Sequence, residues 1–203
     1  MVKKISIGII GIQGAISEHI NSIKYVLKKN NIPGNVFIIK NKDEIKKIDG
    51  LLIPGGESTT ISKIMDKSKI FNQIMKRIDN DDLPIMGTCA GCVLLSTKIS
   101  DNNEGIKPLS AIQMQVKRNA FGRQKDSFET NITINGLSAP YKAIFIRAPI
   151  IEKIWGKCEL LSKIDNKIVM ARQNNYLAIT FHPELTEDIR IHKYFLDMIL
   201  RSN

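Results

Sequence analysis

Five residues, Gly87-Thr88-Cys89-Ala90-Gly91, constrain this chain more than any other segment. They follow the apolar stretch Leu83-Pro84-Ile85-Met86, so small residues flank a thiol where a buried strand should turn into a helix. That is the layout of a nucleophile elbow. There the strand-to-helix turn is sharp and strained, glycines permit close backbone approach, and the N–H after the nucleophile points at the reacting carbonyl. A second constraint lies far downstream, where Phe181-His182-Pro183-Glu184 follows the strand-like residues 176–180 and supplies an imidazole and a carboxylate two positions apart.

The surrounding pattern predicts an open α/β sheet. Residues 5–12 form a nearly continuous apolar run, as expected of a parallel strand buried on both faces. A turn at residues 11–14 ends it. Ser17 then reads as a helix N-cap, Ile20, Ile23, Tyr25, Val26 and Leu27 form an apolar face, and residues 30–34 stop the helix. Residues 36–39 and 51–53 read as strands. Pro54-Gly55-Gly56 breaks the second of these, and Ser58 or Thr59 can cap a helix through residues 61–65. The order strand, helix, strand, strand, helix, strand, helix predicts a three-layer open sheet, mostly parallel, with helices on both faces and right-handed crossovers.

From residue 112 to 146 the pattern changes to short alternating runs, which predict antiparallel strands added to the main sheet. Residues 168–171 and 176–181 flank Asn174-Asn175 and read as a hairpin feeding the His-Pro-Glu turn. An amphipathic helix over about residues 187–201 closes the chain, with Ile191, Tyr194, Phe195, Met198 and Ile199 as its buried stripe. At 203 residues a single domain, 1–203, is expected.

Composition removes several functional classes. With 43% hydrophobic and 25% charged residues, disorder and a fibrous fold are both disfavoured. No run approaches the roughly 18 to 20 apolar residues of a membrane span, and the first four residues lead into a strand pattern rather than a signal-peptide core. The expectation is a cytoplasmic enzyme with no membrane partner. Cys89, Cys92 and Cys158 show neither a disulfide framework nor paired metal-ligand spacing, so no metal is expected. Cys89-x-x-Cys92 does match a redox spacing, but redox chemistry leaves the His-Pro-Glu unexplained. The net charge of +10 could indicate a nucleic-acid surface. The lysines are scattered in pairs and aromatic residues are only 6%, which fits solvated helix faces better than a basic groove with stacking rings, so no nucleic acid is expected.

The candidate chemistry is nucleophilic. A free thiol is only a few per cent thiolate at neutral pH, so Cys89 gains from an adjacent imidazole and from the helix start behind it. His182 would take its proton and later deliver it to the leaving group, while Glu184 would fix the imidazole tautomer. Oxyanion donors are expected from the N–H of Ala90 and from a glycine N–H of Gly55 or Gly56, because loops at the carboxyl ends of neighbouring parallel strands meet at one sheet edge. Taken singly, a Cys between glycines, a His-Pro-Glu turn and a Gly-Gly connection are each ordinary structure. Their joint appearance at strand ends carries the reading. His19 and His192 lie on expected helices, facing solvent or an interface, and Cys92 and Cys158 read as bystanders.

These motifs resemble class I glutamine amidotransferases, whose elbow is Gly-x-Cys-x-Gly and whose triad closes with His-x-Glu. Gly11-Ile12-Gln13-Gly14-Ala15 with Glu18-His19, Leu52 to Thr60, Arg118 to Gln124 with Asp126-Ser127-Phe128, Phe145-Ile146-Arg147-Ala148-Pro149 and Phe181 to Leu185 narrow the resemblance to the glutaminase subunits of pyridoxal 5'-phosphate synthase. The resemblance spans essentially the whole chain. It implies hydrolysis of L-glutamine to glutamate and ammonia through a thioester on Cys89, and delivery of the ammonia to a (β/α)8-barrel synthase subunit in a large hetero-oligomer. It implies no cofactor for this subunit. It also implies that Gly56, Glu57 and Ser58 line the glutamine pocket, that Arg118, Ile146 and Arg147 hold the amino-acid end, and that Gln13 sits on a loop coupling partner docking to the oxyanion hole. Cys92 departs from the apolar residue usual there. Rival readings are another amidotransferase subunit, against which residues 118–124 argue, and a non-catalytic scaffold, against which the complete triad argues.

Overall fold

The computed structural model describes residues 4–101, 105–118, 120 and 127–202. The first half runs β1 (Ile5–Ile10), α1 (Ile16–Lys29), β2 (Gly34–Ile39), β3 (Gly50–Ile53), α2 (Ser58–Lys67), α3 (Ile70–Asp79), β4 (Ile85–Thr88) and α4 (Ala90–Leu95). Then come β5 (Ser96–Ile99), β6 (Ile112–Lys117), β7 (Ser127–Ile132), β8 (Tyr141–Ile146), β9 (Ile150–Ile154) and β10 (Glu159–Ile164). β11 (Lys167–Gln173), β12 (Tyr176–Ile179) and α5 (Arg190–Ser202) complete it.

Ten strands form one sheet in the order β2-β1-β3-β4-β12-β11-β9-β6-β5, with β10 paired to β11. The five strands from β2 to β12 are mutually parallel, and β11 and β9 turn the sheet antiparallel. Successive side chains along the central strands divide between two cores, as the period of two requires. Leu51, Ile53 and Ile85 pack with Ile61, Met65, Phe71 and Ile74 of α2 and α3 on one face. Leu52 and Met86 pack with Ile23 and Val26 of α1 and Phe195 and Ile199 of α5 on the other. This is the expected three-layer architecture, with apolar burial on both faces explaining why β1, β3 and β4 read as continuous apolar runs.

Several local expectations are corrected. Ala15, not Ser17, occupies the N-cap of α1 and makes no side-chain cap; Ser17 Oγ donates to Glu18 Oε2 at 2.9 Å instead. Tyr25 is 53% exposed, because it lies off the stripe set by Ile23, Val26 and Leu27. α2 is capped by the Glu57 carboxylate, which accepts from Thr59 N and Thr59 Oγ1, and not by Ser58 or Thr59. α3 was not foreseen. β7 and β8 do not join the main sheet but pair with each other as a separate hairpin. Its inward residues Tyr141, Ala143 and Phe145 alternate into the second core, and Phe145 stacks on Phe128 at 4.7 Å. In the closing helix Tyr194 is half-buried, while Leu196 and His192 join the buried set. Among the described residues no helix is long and apolar enough to cross a membrane.

Packing rather than backbone conformation dictates the glycines around the elbow. A Cβ on Gly91 would stand 2.1 Å from the carbonyl oxygen of Ile53, and one on Gly87 2.5 Å from the backbone of Gly91. Neither obstruction is a movable side chain. Gly91→Ala therefore sets a helix-propensity gain of about 1 kcal/mol against overpacking on backbone, which costs about 3 kcal/mol or more. The expected net loss is about 2 kcal/mol, lowering Tm by roughly 4–8 °C. An unchanged Tm in thermal denaturation would show that α4 does not sit against β3 as closely as described.

Candidate active site

Four neighbouring parallel strands, β1, β3, β4 and β12, end on one edge of the sheet, and the loop beyond each carries a candidate residue. Gln13 follows β1, Gly55 and Gly56 follow β3, Cys89 follows β4, and His182 follows β12. Because β2 and β3 flank β1 on opposite sides, the connections diverge here, and that is where an α/β sheet opens a crevice for a ligand.

Cys89 sits between β4 and α4 at φ 49° and ψ −102°, a conformation rare for any residue with a Cβ. Strain of this kind costs on the order of 1–3 kcal/mol and is held by its surroundings. Here Cys89 N donates to Ile179 O at 2.8 Å, and Val93 N donates to Cys89 O at 3.3 Å. α4 has only six residues, so the helix start behind the thiol is short.

The His-Pro-Glu turn is fixed just as firmly. His182 N donates to Ile144 O of β8 at 2.8 Å, and the buried Tyr141 hydroxyl bonds with Thr186 Oγ1 and donates to Asp188 O, both at 3.1 Å. His182 Nδ1 lies 2.7 Å from Glu184 Oε1, and Cys89 is the other side chain that acts electrostatically on the imidazole. Burial disfavours the imidazolium, but the contacts with Cys89 and Glu184 outweigh it and raise the His182 pKa to about 10. Gly55 lies against both partners, since a Cβ there would stand 2.7 Å from His182 Cε1 and 3.3 Å from Cys89 Cβ. The three triad candidates are thus assembled in order.

A cleft of about 310 Å³, open to solvent, lies over the thiol. Gly56, Glu57, Ser58, Cys89, Ala90, Arg118 and Arg147 line it, together with Pro149 of the residue 145–149 motif and Val93, which carried no signal in the sequence. Arg118 NH1 is 3.7 Å from Glu57 Oε1 and Arg118 Nε is 3.6 Å from Asp101 Oδ2, so one guanidinium bridges two carboxylates at the cleft wall. Arg147 is exposed and adopts φ 42° at the end of β8. Ile146, expected beside it, is exposed and does not line the cleft. β8 ends at Ile146, and the left-handed turn at Arg147 departs from the strand's direction between the two neighbours. Gly55 is not among the residues lining the cleft but packs against His182 and Cys89. Gln13 Oε1 accepts from Glu57 N at 3.1 Å, and a Cβ on Gly14 would stand 1.9 Å from Gly55 O, so the first and third strand loops are in direct contact. Asn119 and residues 121–126, part of one motif above, lie outside the described residues.

The largest correction concerns His19 and His192. Neither faces solvent. Both are fully buried, His19 Nδ1 is 3.1 Å from His192 Nε2, and His19 Nε2 is 3.3 Å from Glu184 Oε2. Burial lowers the His192 pKa to about 4, and burial with the neighbouring His192 and His182 lowers that of His19 well below its ordinary value. An unfolded chain takes up these protons near pH 6.5, the folded chain only at lower pH. Their contribution to stability is therefore present above about pH 6.5 and is lost as pH falls toward 4, by about 3 kcal/mol for His192 alone. Urea denaturation between pH 7 and pH 4.5 is expected to show this loss, and a smaller one in His192→Leu. Equal losses in the two proteins would contradict neutral burial of His192.

A family model described as the SNO glutamine amidotransferase family matches residues 9–201. The chain is 42% identical to a protein of Pyrococcus furiosus named pyridoxal 5'-phosphate synthase subunit PdxT, over 97% of this chain and 100% of that one. It is 43% identical to the protein of that name from Methanosarcina barkeri, over 97% and 98% of the two chains. A crystal structure titled glutamine amidotransferase superposes with a TM-score of 0.85 at 36% identity, covering 95% of this chain and 98% of the other. With residues 9–201 matched by the family model and nearly the full length shared with these relatives, the chain belongs to the SNO glutamine amidotransferase family.

Proposed function

We propose that this chain hydrolyses L-glutamine to L-glutamate and ammonia through Cys89, His182 and Glu184, and supplies the ammonia to the barrel-shaped synthase subunit of pyridoxal 5'-phosphate synthase. The observation that carries the reading is the convergence of His182, bound to Glu184 at 2.7 Å, on a strained Cys89 at the floor of a cleft holding both cationic and anionic groups. The names of the relatives support the synthase. A free amino acid is a zwitterion: its carboxylate suits Arg118 and Arg147, and its ammonium suits Glu57. Val93 and Pro149 then flank the aliphatic part of the side chain.

His182 takes the thiol proton, and Sγ attacks the γ-carboxamide carbon. The carbonyl oxygen becomes an oxyanion, for which the N–H groups of Ala90 and Gly55 or Gly56 are the donors at hand, each worth about 3 kcal/mol of barrier. Collapse breaks the C–N bond while His182 returns the proton to the leaving nitrogen, giving ammonia and a γ-glutamyl thioester. Water attacks the thioester, His182 takes its proton, and collapse releases glutamate and restores the thiol. Because Gln13 holds the Glu57 amide and Gly14 abuts Gly55, pressure on the exposed first-strand loop reaches the oxyanion donors directly. A partner docked there would gate the reaction.

Glutamate and ammonia release by the purified chain, alone and with the synthase subunit, tests the proposal. Release strongly stimulated by the synthase is expected. None under either condition, with folded protein and a matched partner, would refute it.

A further inference from the structure

Behind the His182–Glu184 pair lies a buried polar cluster that the steps above do not use. Glu184 has no exposed side-chain surface, and its Oε1 is occupied by His182. Its Oε2 has no aligned hydrogen bond among the described residues; what approaches it is His19 Nε2, at 3.3 Å. The same nitrogen is 3.2 Å from Thr88 Oγ1, the residue just before the nucleophile. A carboxylate accepts only, whereas the Thr88 hydroxyl can donate or accept, so a proton on His19 Nε2 is the tautomer that sets no lone pair against Glu184 Oε2. Nδ1 is then an acceptor, and His192 Nε2 must donate to it across 3.1 Å. His192 Nδ1 is left as a bare lone pair, and it is this atom that is buried without a partner among the described residues. A buried orphan acceptor is cheaper than a buried orphan donor. This arrangement sets no donor against donor and no lone pair against lone pair along the chain of contacts, with both imidazoles neutral. Their low proton affinity in this dry setting agrees.

We infer that His19, itself oriented by His192, is a positioning residue: its Nε2–H holds the second oxygen of Glu184 and so fixes the carboxylate that orients His182. The inference rests on the triad reading above. Outer partners of this kind, once removed, typically lower activity about 10- to 100-fold. The titratable groups facing His19 are His192 from α5 and Glu184 and His182 from the turn after β12, while Glu18 beside it on α1 faces solvent.

The test is glutaminase kinetics of the synthase complex carrying His19→Asn, whose amide stops short at the Nδ1 position, or His19→Gln, whose amide reaches the Nε2 position. His19→Asn is expected to lower kcat about 10- to 100-fold with KM changed less than about threefold. His19→Gln should recover most of kcat. Unaltered kinetics in His19→Asn, or equal losses in both variants, overturn the inference while leaving the triad intact. Retained hydrolysis in Cys89→Ala would instead remove the triad itself. Nitrogen-15 NMR of the unsubstituted chain supplies an answer independent of how the variants fold: neutral, Nε2-protonated imidazole at His19 supports the inference, and an Nδ1-protonated or charged ring overturns it.

Discussion

Cys89→Ala is expected to lower kcat for glutamine hydrolysis by about 10⁶-fold while leaving Tm within a degree or two of the unsubstituted chain, since a lost nucleophile typically removes all but the binding and oxyanion contribution. The two readouts must be taken together. Alanine keeps the Cβ, so the backbone strain at φ 49° is unchanged. The bonds that hold the elbow, Cys89 N to Ile179 O and Val93 N to Cys89 O, are main-chain bonds that the substitution does not touch. The lost sulfur faces an open cleft rather than a core, so no cavity forms. His182 loses one of the contacts that raise its pKa and is expected to titrate lower. A kcat within tenfold of the unsubstituted enzyme would mean that the thiol is not the nucleophile.

Glu184→Gln is expected to cost about 10⁴-fold in kcat, by analogy with amide replacement of the carboxylate in a serine-protease triad. The structure gives a specific reason for a large effect. The carboxylate is fully buried between two imidazoles, His182 on one oxygen and His19 on the other. A glutamine that offers its oxygen to His182 must turn its NH₂ toward His19 Nε2–H, setting donor against donor. Relief requires His19 and then His192 to change tautomer, or the amide to flip and present NH₂ to His182. The flip places the His182 proton on the wrong nitrogen for accepting one from the thiol. Removal of the charge also weakens a contact that keeps His182 raised to about 10. The shape is conserved, so circular dichroism should be unaltered. Activity within tenfold of the unsubstituted enzyme would show that Glu184 does not orient the base.

The chemical residues were legible in the sequence because each sits within a few positions of a parallel strand's end. Cys89, His182, Glu184 and Gly56 are fixed by short local patterns, and the parallel sheet brings those patterns to one edge whatever the details of packing. Resemblance supplied Glu57, Arg118 and Arg147 on the cleft wall. Contacts that depend on the closed fold were not legible. His19 and His192 are 173 positions apart on two amphipathic helices, where a histidine reads as part of the polar face. Only the packing of α1 on α5 beside the His-Pro-Glu turn buries both rings together. Glu57, a cleft residue by resemblance, also caps α2, a role the sequence pattern assigns to Ser58 or Thr59. The β7–β8 hairpin has the alternation of any half-buried strand pair, and nothing in that alternation says which sheet it joins. Its detachment matters for the site, because β8 then supplies the carbonyl that holds His182.

The covalent intermediate is the direct test of a Cys89 triad. Rapid-quench intact-mass measurement of the chain, in complex with the synthase subunit and turning over L-glutamine, should reveal a γ-glutamyl adduct that maps to Cys89, is released by hydroxylamine and is absent from Cys89→Ala. Steady glutamate release without any adduct, and undiminished in Cys89→Ala, would contradict thioester catalysis at this elbow.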